Sequence, residues 1–170
     1  ADNEDFDFAD VDDLGKTVSK DYTDIHVQDV LNLELVDVDA IRKADFSVAF
    51  DAVNSVGGIA IPALLKALGV DNILELYCEP NGIFPHNPEP LPENLTEIAS
   101  LMEQEKADIG FVVDPDVDRL AIVNSDGTMF GEEYTLVAAA DDVLLHSNGN
   151  TDSNLSSSKA LRDMTEKYGG

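Results

Sequence analysis

The chain has 170 residues with 35 acidic and 10 basic side chains, so its formal net charge at pH 7 is -25. This charge argues against nucleic acid or an anionic membrane as a partner, because both are negatively charged themselves. The 44% of hydrophobic residues suffices for a globular core, and no apolar segment reaches the roughly 18 residues of a membrane span. We expect a cytoplasmic protein from a halophilic source, where salt screens the repulsion. An acidic domain from a mesophile is the alternative.

The chain is predicted to begin with an acidic linker or arm. Residues 1–20 are polar and acidic, with Phe6, Phe8 and Val11 as their few apolar anchors. A helix is predicted to follow from Asp24 to Leu33, because aspartate is a common residue at helix N-caps.

Strands and helices are predicted to alternate in the middle of the chain. Hydrophobic patterning gives strand, helix, strand, helix and strand over residues 46–53, 58–68, 72–78, 93–106 and 109–113. Gly69 is expected to end the first of these helices, and a proline-rich loop at 80–92 precedes the second. This order predicts an α/β fold with three α/β/α layers and a mainly parallel sheet. The single cysteine, Cys78, is expected to be a buried, inert thiol within the second strand.

The rest of the chain is predicted to form an edge hairpin and two further helices. The hairpin would consist of residues 120–124, a turn at 125–127, and residues 128–130. From residue 131 the pattern changes to a helix, a polar link, a short strand and a second helix, over 132–145, 146–152, 153–156 and 157–168. We therefore interpret 21–130 as one domain and 131–170 as the start of another.

Three aspartates stand at alternate positions after the third predicted strand. Asp114, Asp116 and Asp118 concentrate like charges that a bound cation would compensate, and Pro115 keeps the segment out of a helix. Carboxylate oxygens favour magnesium, calcium or manganese over zinc. An EF-hand loop is not expected, because Arg119 and Ser125 stand at the sixth and twelfth positions, where such a loop needs glycine and glutamate. A merely solvated acidic loop is the alternative.

Further candidate residues follow the ends of the predicted strands, where ligands gather in open parallel sheets. Arg119 could grip an anion, or form a salt bridge with a neighbouring acid. His86 could line the site or be structural, and His26 has no link to chemistry. The residues after the first strand could contact an anion or only permit a turn: Asn54, Ser55, Gly57 and Gly58.

Four segments, in order and spacing, closely resemble the second domain of the alpha-D-phosphohexomutase family, the phosphoglucomutases and phosphomannomutases. They are residues 50–58, Pro62 with Leu68 and Gly69, residues 84–90, and residues 107–119. The resemblance implies that 21–130 is domain II and that 131–170 is a truncated start of domain III. It also implies an isomerase that transfers a phosphoryl group between the 1- and 6-positions of a hexose phosphate through a phosphoserine.

The resemblance further implies Mg²⁺ held by Asp114, Asp116 and Asp118, a phosphate contact by Arg119, and domains I, III and IV of a parent enzyme as partners. The family's phosphoserine motif, typically Thr-Ala-Ser-His-Asn-Pro, does not occur among the 170 residues. His146-Ser147-Asn148 has the wrong order, and Gly131-Glu132-Glu133 the wrong position for the family's sugar loop. We therefore expect this chain alone to be inactive.

Two other functions fit parts of the sequence. The first is a non-catalytic acidic cation-binding or scaffolding module with the same fold. The second is a haloacid dehalogenase-type phosphatase with Asp114 as nucleophile, which also has Asp-x-Asp after an apolar strand. The resemblance to that enzyme class ends there, because Asp118 and Arg119 replace its usual small hydroxyl residue.

Overall fold

The computed structural model describes residues 6–155 and 157–170. A four-stranded sheet runs through these residues, with strands β1 (Ser47–Asp51), β2 (Asn72–Leu76), β3 (Ile109–Val113) and β4 (Leu120–Asn124). The strand order is β2-β1-β3-β4; β1 is parallel to both β2 and β3, and β4 is antiparallel to β3. The α/β fold with a mainly parallel sheet and an antiparallel edge is thus confirmed.

The described residues also contain α1 (Thr23–Leu31), α2 (Val38–Ala44), α3 (Gly57–Ala67), α4 (Thr96–Glu105), α5 (Glu132–His146) and α6 (Ala160–Lys167). Two short 3-10 helices span Val11–Asp13 and Pro92–Asn94. Helix α2 was not predicted from the sequence. It has only seven residues and is stabilised at its start by Asp37, whose side chain accepts a hydrogen bond from the amide of Ala40. Among the described helices, none combines the length and hydropathy that crossing a membrane requires.

Helices cover both faces of the sheet. On one face, Ile98 and Met102 of α4 pack against a buried cluster that includes Ala49, Val112 and Val123. On the other face, Leu65 and Ile61 of α3 pack against Val48, Ile109 and Phe111. Phe50 of β1 is fully buried beside Phe111, and burial of such a side chain stabilises the fold by about 1.5–3 kcal/mol. Because successive strand residues face opposite sides, Asp51 lies on the α4 side with Ala49.

The helix α3 ends as the sequence predicts, next to Gly69. This glycine has a φ of +87°, and its amide donates to the carbonyl of Lys66. The amide of Val70 donates to the carbonyl of Leu65 at 3.0 Å, which completes a Schellman motif.

The strands β1 and β2 end two residues earlier than expected. Val53, Asn54 and Tyr77 have φ values of 47°, 55° and 51°, a left-handed conformation that lies outside the β region and interrupts the regular strand. The expectation that Cys78 lies inside a strand is therefore wrong; it follows β2 and is half-buried.

The N-terminal predictions also need correction. Asp24 is not the N-cap of α1, because the helix starts at Thr23, whose amide is bound by the side chain of Asp21. Residues 6–20 are exposed, so Phe6, Phe8 and Val11 do not anchor them. The part of the predicted arm at residues 1–5 lies outside the described residues.

The C-terminal part is close to the prediction at α5 and differs beyond it. The second arm of the hairpin forms only one bridge, between Met129 and Val123. His146 ends α5 rather than starting a link, and α6 begins at Ala160 rather than at 157. Residues 153–155 are not a strand, and residue 156 lies outside the described residues. Helices α5 and α6 pack together, and α5 also contacts β4; the proposed domain boundaries stay a prediction.

Candidate metal centre at the end of β3

The three aspartates after β3 come together. Each of Asp114, Asp116 and Asp118 offers a carboxylate oxygen, and these oxygens all lie within 4.8 Å of one another. Asp114 is buried, with 7% of its surface exposed, whereas Asp116 and Asp118 are exposed. One carboxylate is therefore fixed in the fold, and the other two have room to move.

Asp114 organises the loop that carries the other two aspartates. Its Oδ1 accepts hydrogen bonds from the amides of Asp118 and Arg119, both at 3.1 Å. Its carbonyl accepts from the amide of Val117 at 3.2 Å, and Val117 has a φ of 63°. Such a conformation costs a β-branched residue about 1–3 kcal/mol. Packing of Val117 against the cluster of Phe50 and Val113 helps to hold it.

The acidity of the carboxylates reflects their crowding. Partial burial raises the pKa of Asp114, but hydrogen bonds from Arg119, Asp118 and Asp116 outweigh it, so the pKa lies below its ordinary value. The pKa of Asp118 is raised, first by its hydrogen bond with Asp114 and then by the charges of Asp116 and Asp114. A divalent cation would relieve this repulsion.

Arg119 pairs with an acid of another loop. Its Nη1 donates to the carboxylate of Glu89, and its Nε lies 4.0 Å from Oδ1 of Asp118. The charge of Glu89 raises the pKa of Arg119, so the guanidinium stays protonated. Arg119 and Glu89 are both about half exposed. The structure thus contains the salt bridge that the sequence offered as the alternative to an anion contact.

The described hydrogen bonds of the Asn54 and Ser55 side chains go to the backbone of nearby loops, and none of them goes to the three aspartates. The side chain of Asn54 donates to the carbonyl of Ile83 at 3.0 Å and accepts from the amide of Glu79 at 3.3 Å. Ser55 is buried, and its Oγ accepts from the amide of Gly57 at 3.2 Å. These contacts fix the turn from β1 into α3 and tie it to the loop after β2.

Gly57 and Gly58 allow two close approaches at the start of α3. A Cβ on Gly57 would lie 2.7 Å from Cγ2 of Val113. Val113 directly precedes residues 114–119, which we call the metal loop after its three candidate ligands. A Cβ on Gly58 would collide with the backbone carbonyl of Cys78. Close packing alone therefore accounts for both glycines.

His86 forms a buried pair with Asp51. Its Nε2 lies 3.1 Å from Oδ2 of Asp51, and its Nδ1 lies 2.8 Å from the carbonyl oxygen of Asn87. The two side chains are 14% and 1% exposed. Burial raises the pKa of Asp51, although the amide of Val53 and the neighbouring His86 act in the opposite direction. The ring of His86 also meets Tyr77 edge-on, and the hydroxyl of Tyr77 donates to Glu97.

Neither Asp51 nor Glu89 was predicted from the sequence to have a role. The available signals were weak: Asp51 is an acid at the end of a buried strand, and Glu89 stands between two prolines. In a chain with 35 acidic residues, neither feature distinguishes them.

A cleft of about 710 Å³ lies between α1 and α3 and reaches the metal loop. Its lining includes apolar residues of α3 such as Ile59, together with His26 and Asp116. The structure therefore brings His26 to the same cleft as one of the three aspartates, which the sequence did not predict.

Comparison with known proteins supplies a family context for this geometry. Residues 24–127, more than half of the chain, match the model of the family described as phosphoglucomutase/phosphomannomutase, alpha/beta/alpha domain II. A phosphoglucomutase of Neisseria gonorrhoeae is 36% identical over 131 residues, which is 75% of this chain and 28% of that protein. A phosphoglucomutase/phosphomannomutase of Thermococcus kodakarensis is 30% identical over 169 residues, 98% of this chain and 36% of that protein.

Solved structures show the same architecture. A putative phosphomannomutase from Thermus thermophilus superposes with a TM-score of 0.78 over 91% of this chain and 36% of that chain. The sequence identity is 20%, so this likeness shows the fold alone. The chain spans about a third or less of the length of these proteins.

Proposed function

Because the chain belongs to the phosphoglucomutase/phosphomannomutase family through its domain II, we propose that it is the Mg²⁺-binding part of a phosphohexomutase. The parent enzyme would be an isomerase that moves a phosphoryl group between the 1- and 6-positions of a hexose phosphate through a phosphoserine. The observation that carries the proposal is the convergence of three carboxylates at the carboxyl end of β3, beside Arg119. It is at such strand ends that ligands of open α/β sheets gather.

The donor set suits magnesium. The three carboxylates supply hard oxygen ligands and leave room for oxygens from other groups, as Mg²⁺ prefers. When bound, the ion would neutralise charge on the phosphoryl group during transfer. Asp114 would keep its position through the two amides that it accepts, while the exposed side chains of Asp116 and Asp118 would adjust to the ion.

Arg119 would hold the phosphoryl group. Its guanidinium presents several donors in a planar arrangement that matches phosphate oxygens. Its pairing with Glu89 is exposed, and such pairs contribute only about 0–1 kcal/mol. A phosphate dianion beside Mg²⁺ can therefore share the guanidinium with Glu89. The phosphoserine and the sugar-binding groups would come from domains I, III and IV of the parent enzyme.

The proposal is tested by calorimetry on the 170-residue chain. We expect Mg²⁺ alone to bind at millimolar concentration or weaker, because the ligand that completes the site is missing. O-phospho-L-serine should bind more tightly with Mg²⁺ than without it. Asp116→Asn should abolish both effects, whereas the control Asp71→Asn, an exposed aspartate just before β2 at the opposite edge of the sheet, should change neither.

Three other results would reject the site or favour a different function. Equal Mg²⁺ heats from wild type and Asp116→Asn would place the ion elsewhere and reject the site. Mg²⁺ binding without any gain in phosphoserine affinity would favour a cation-binding module without a catalytic role. Hydrolysis of p-nitrophenyl phosphate that depends on Asp114 would instead indicate a phosphatase.

A further inference from the structure

The loop after β2 passes over the end of β1 to reach the metal loop. In the strand order β2-β1-β3, β1 separates β2 from β3, yet Glu89 of this loop pairs with Arg119 after β3. Midway, His86 of the same loop binds Asp51 at the end of β1. We call residues 80–92 the proline loop, since it holds five of the chain's seven prolines.

The link between His86 and Asp51 depends on one proton. The carbonyl of Asn87 can only accept, so Nδ1 of His86 carries a hydrogen. The contact between Nε2 and Oδ2 of Asp51 then needs a single further proton, carried by either the ring or the carboxyl group. Oδ1 of Asp51 accepts from the amide of Val53 at 2.8 Å. Both oxygens of the buried carboxyl are thus used, and the loop is fixed to the sheet.

The segment between the two contacts is stiff. Pro88 and Pro90 flank Glu89, which restricts the backbone on both sides. The carbonyl of Glu89 accepts from the side chain of Asn94 at 2.8 Å. A displacement at His86 will therefore move the carboxylate of Glu89, because little of the chain between them can absorb it.

We propose that Asp51 and His86 are positioning residues for Arg119: they fix the proline loop to the end of β1 and so hold Glu89 against the guanidinium. This role deepens the proposed function and rests on it, because an oriented Arg119 is useful only if it meets a phosphoryl group. Because the long side chain of Arg119 is already held in place, less conformational entropy is lost when the phosphoryl group binds. Asp51 and His86 would thus act through Glu89 and Arg119, with no direct part in binding the phosphoryl group.

The chain is well suited to a direct test by ¹⁵N NMR of the arginine Nε–H groups. It has only three arginines, and Arg42 and Arg162 pair with acids of their own helices, so they serve as internal controls. In Asp51→Ala and His86→Ala we expect the Arg119 Nε–H to exchange with solvent roughly threefold faster or more, as for a released side chain. The signals of the other two arginines should not move.

Asp51→Asn is the matched conservative variant. Its amide can donate to Nε2 of a neutral His86 ring and accept from the amide of Val53, so it should keep the Arg119 signal of the wild type. The substitution also removes a buried ionisable group near Glu97, Tyr77 and Cys78. An unchanged Arg119 signal would therefore show that the hydrogen bond to His86, and not the charge of Asp51, holds the proline loop. If Asp51→Asn releases Arg119 as fully as Asp51→Ala does, anchoring by this hydrogen bond is refuted.

Glu89→Ala completes the test without touching the core. It should release Arg119 to the same extent, and adding His86→Ala to it should have no further effect on the Arg119 signal. An Arg119 signal that changes in Glu89→Ala but not in folded His86→Ala would overturn the proposal. Should the alanine variants at Asp51 and His86 not fold, the wild type decides: ¹⁵N relaxation must find the backbone amides of His86, Asn87 and Glu89 as rigid as those of β1, and amides that move more freely than β1 would refute the anchoring.

A second measurement separates this proposal from the proposed function. With Mg²⁺ present, His86→Ala should weaken the binding of O-phospho-L-serine by roughly threefold, within the range that an exposed ion pair contributes, and leave Mg²⁺ binding unchanged. A wild type that fails to bind phosphoserine would remove the proposed function, while the arginine signals would still decide the positioning role. If folded His86→Ala binds phosphoserine with the affinity of the wild type, the contact between His86 and Asp51 does not support phosphate binding.

Discussion

Arg119 after β3 pairs with Glu89, which lies 30 residues earlier in the chain and follows β2. The pair joins the loops of two strands that are not neighbours in the sheet. It therefore makes the metal loop part of a three-loop structure, together with the end of β1, rather than an isolated acidic turn. Disturbance of the proline loop should therefore be felt at Arg119.

The 170-residue chain should not convert glucose 1-phosphate to glucose 6-phosphate. The family reaction needs a serine that carries the phosphoryl group, and its usual motif is absent from these residues, so the covalent step has no carrier. The assay would supply Mg²⁺ and a trace of the 1,6-bisphosphate and follow product with a coupled dehydrogenase. The phosphoglucomutase of Neisseria gonorrhoeae is the positive control. Turnover by the chain that vanishes in Asp116→Asn would contradict the prediction.

Substitution of Gly58 should destabilise the fold more than substitution of Gly57. A new Cβ at Gly58 meets the backbone carbonyl of Cys78, whereas at Gly57 it meets the side chain of Val113, which can rotate. We expect losses in unfolding free energy of about 2–3 kcal/mol for Gly58→Ala and about 1–2 kcal/mol for Gly57→Ala. Urea denaturation measures both. Gly15→Ala, with nothing within 4 Å of the new Cβ, is the control and should be close to neutral.

Cys78 should react slowly with iodoacetamide at pH 8. Burial, followed by the charges of Glu75 and Asp51, raises the pKa of its thiol to about 11 from an ordinary value of 9.0. The folded chain should thus contain roughly a hundredfold less thiolate than the unfolded chain at this pH, and the thiolate is the reactive species. Equal alkylation rates in buffer and in urea would contradict this.

The same shift predicts a loss of stability at high pH. Because the pKa of Cys78 is higher in the folded chain, its contribution to stability is complete below about pH 9 and is lost as the pH rises towards about 11. Cys78→Ser lacks this titration and should show a smaller decline in unfolding free energy over this range.

The melting temperature should rise with potassium chloride. A net charge of -25 disfavours the compact state, and salt reduces the range of the repulsion from about 10 Å at 0.1 M to about 3 Å at 1 M. Calorimetric or circular dichroism melts at pH 7 would measure the rise. The control is the same series near the isoelectric point of about 4.1, where the salt effect should shrink. A melting temperature at pH 7 that is independent of salt would remove the halophilic interpretation.

Local patterns in the sequence determined the fold class and the metal candidates. Alternating apolar segments of strand and helix length can form only a few architectures, so the parallel sheet followed from their order. Asp114, Asp116 and Asp118 are close in space because they are close in sequence, and Pro115 limits the conformations of the loop. Gly69 likewise ends α3 through a conformation that glycine adopts most easily.

The tertiary structure alone decided which distant residues meet. Asp51, His86, Glu89 and Arg119 carry no local signal of contact, because their proximity depends on the strand order and on the path of the proline loop over β1. The left-handed residues that end β1 and β2 were equally hidden, since Val53 and Tyr77 do not favour that conformation by themselves. Packing and hydrogen bonds between segments far apart in sequence select these states, and a sequence read element by element does not contain that information.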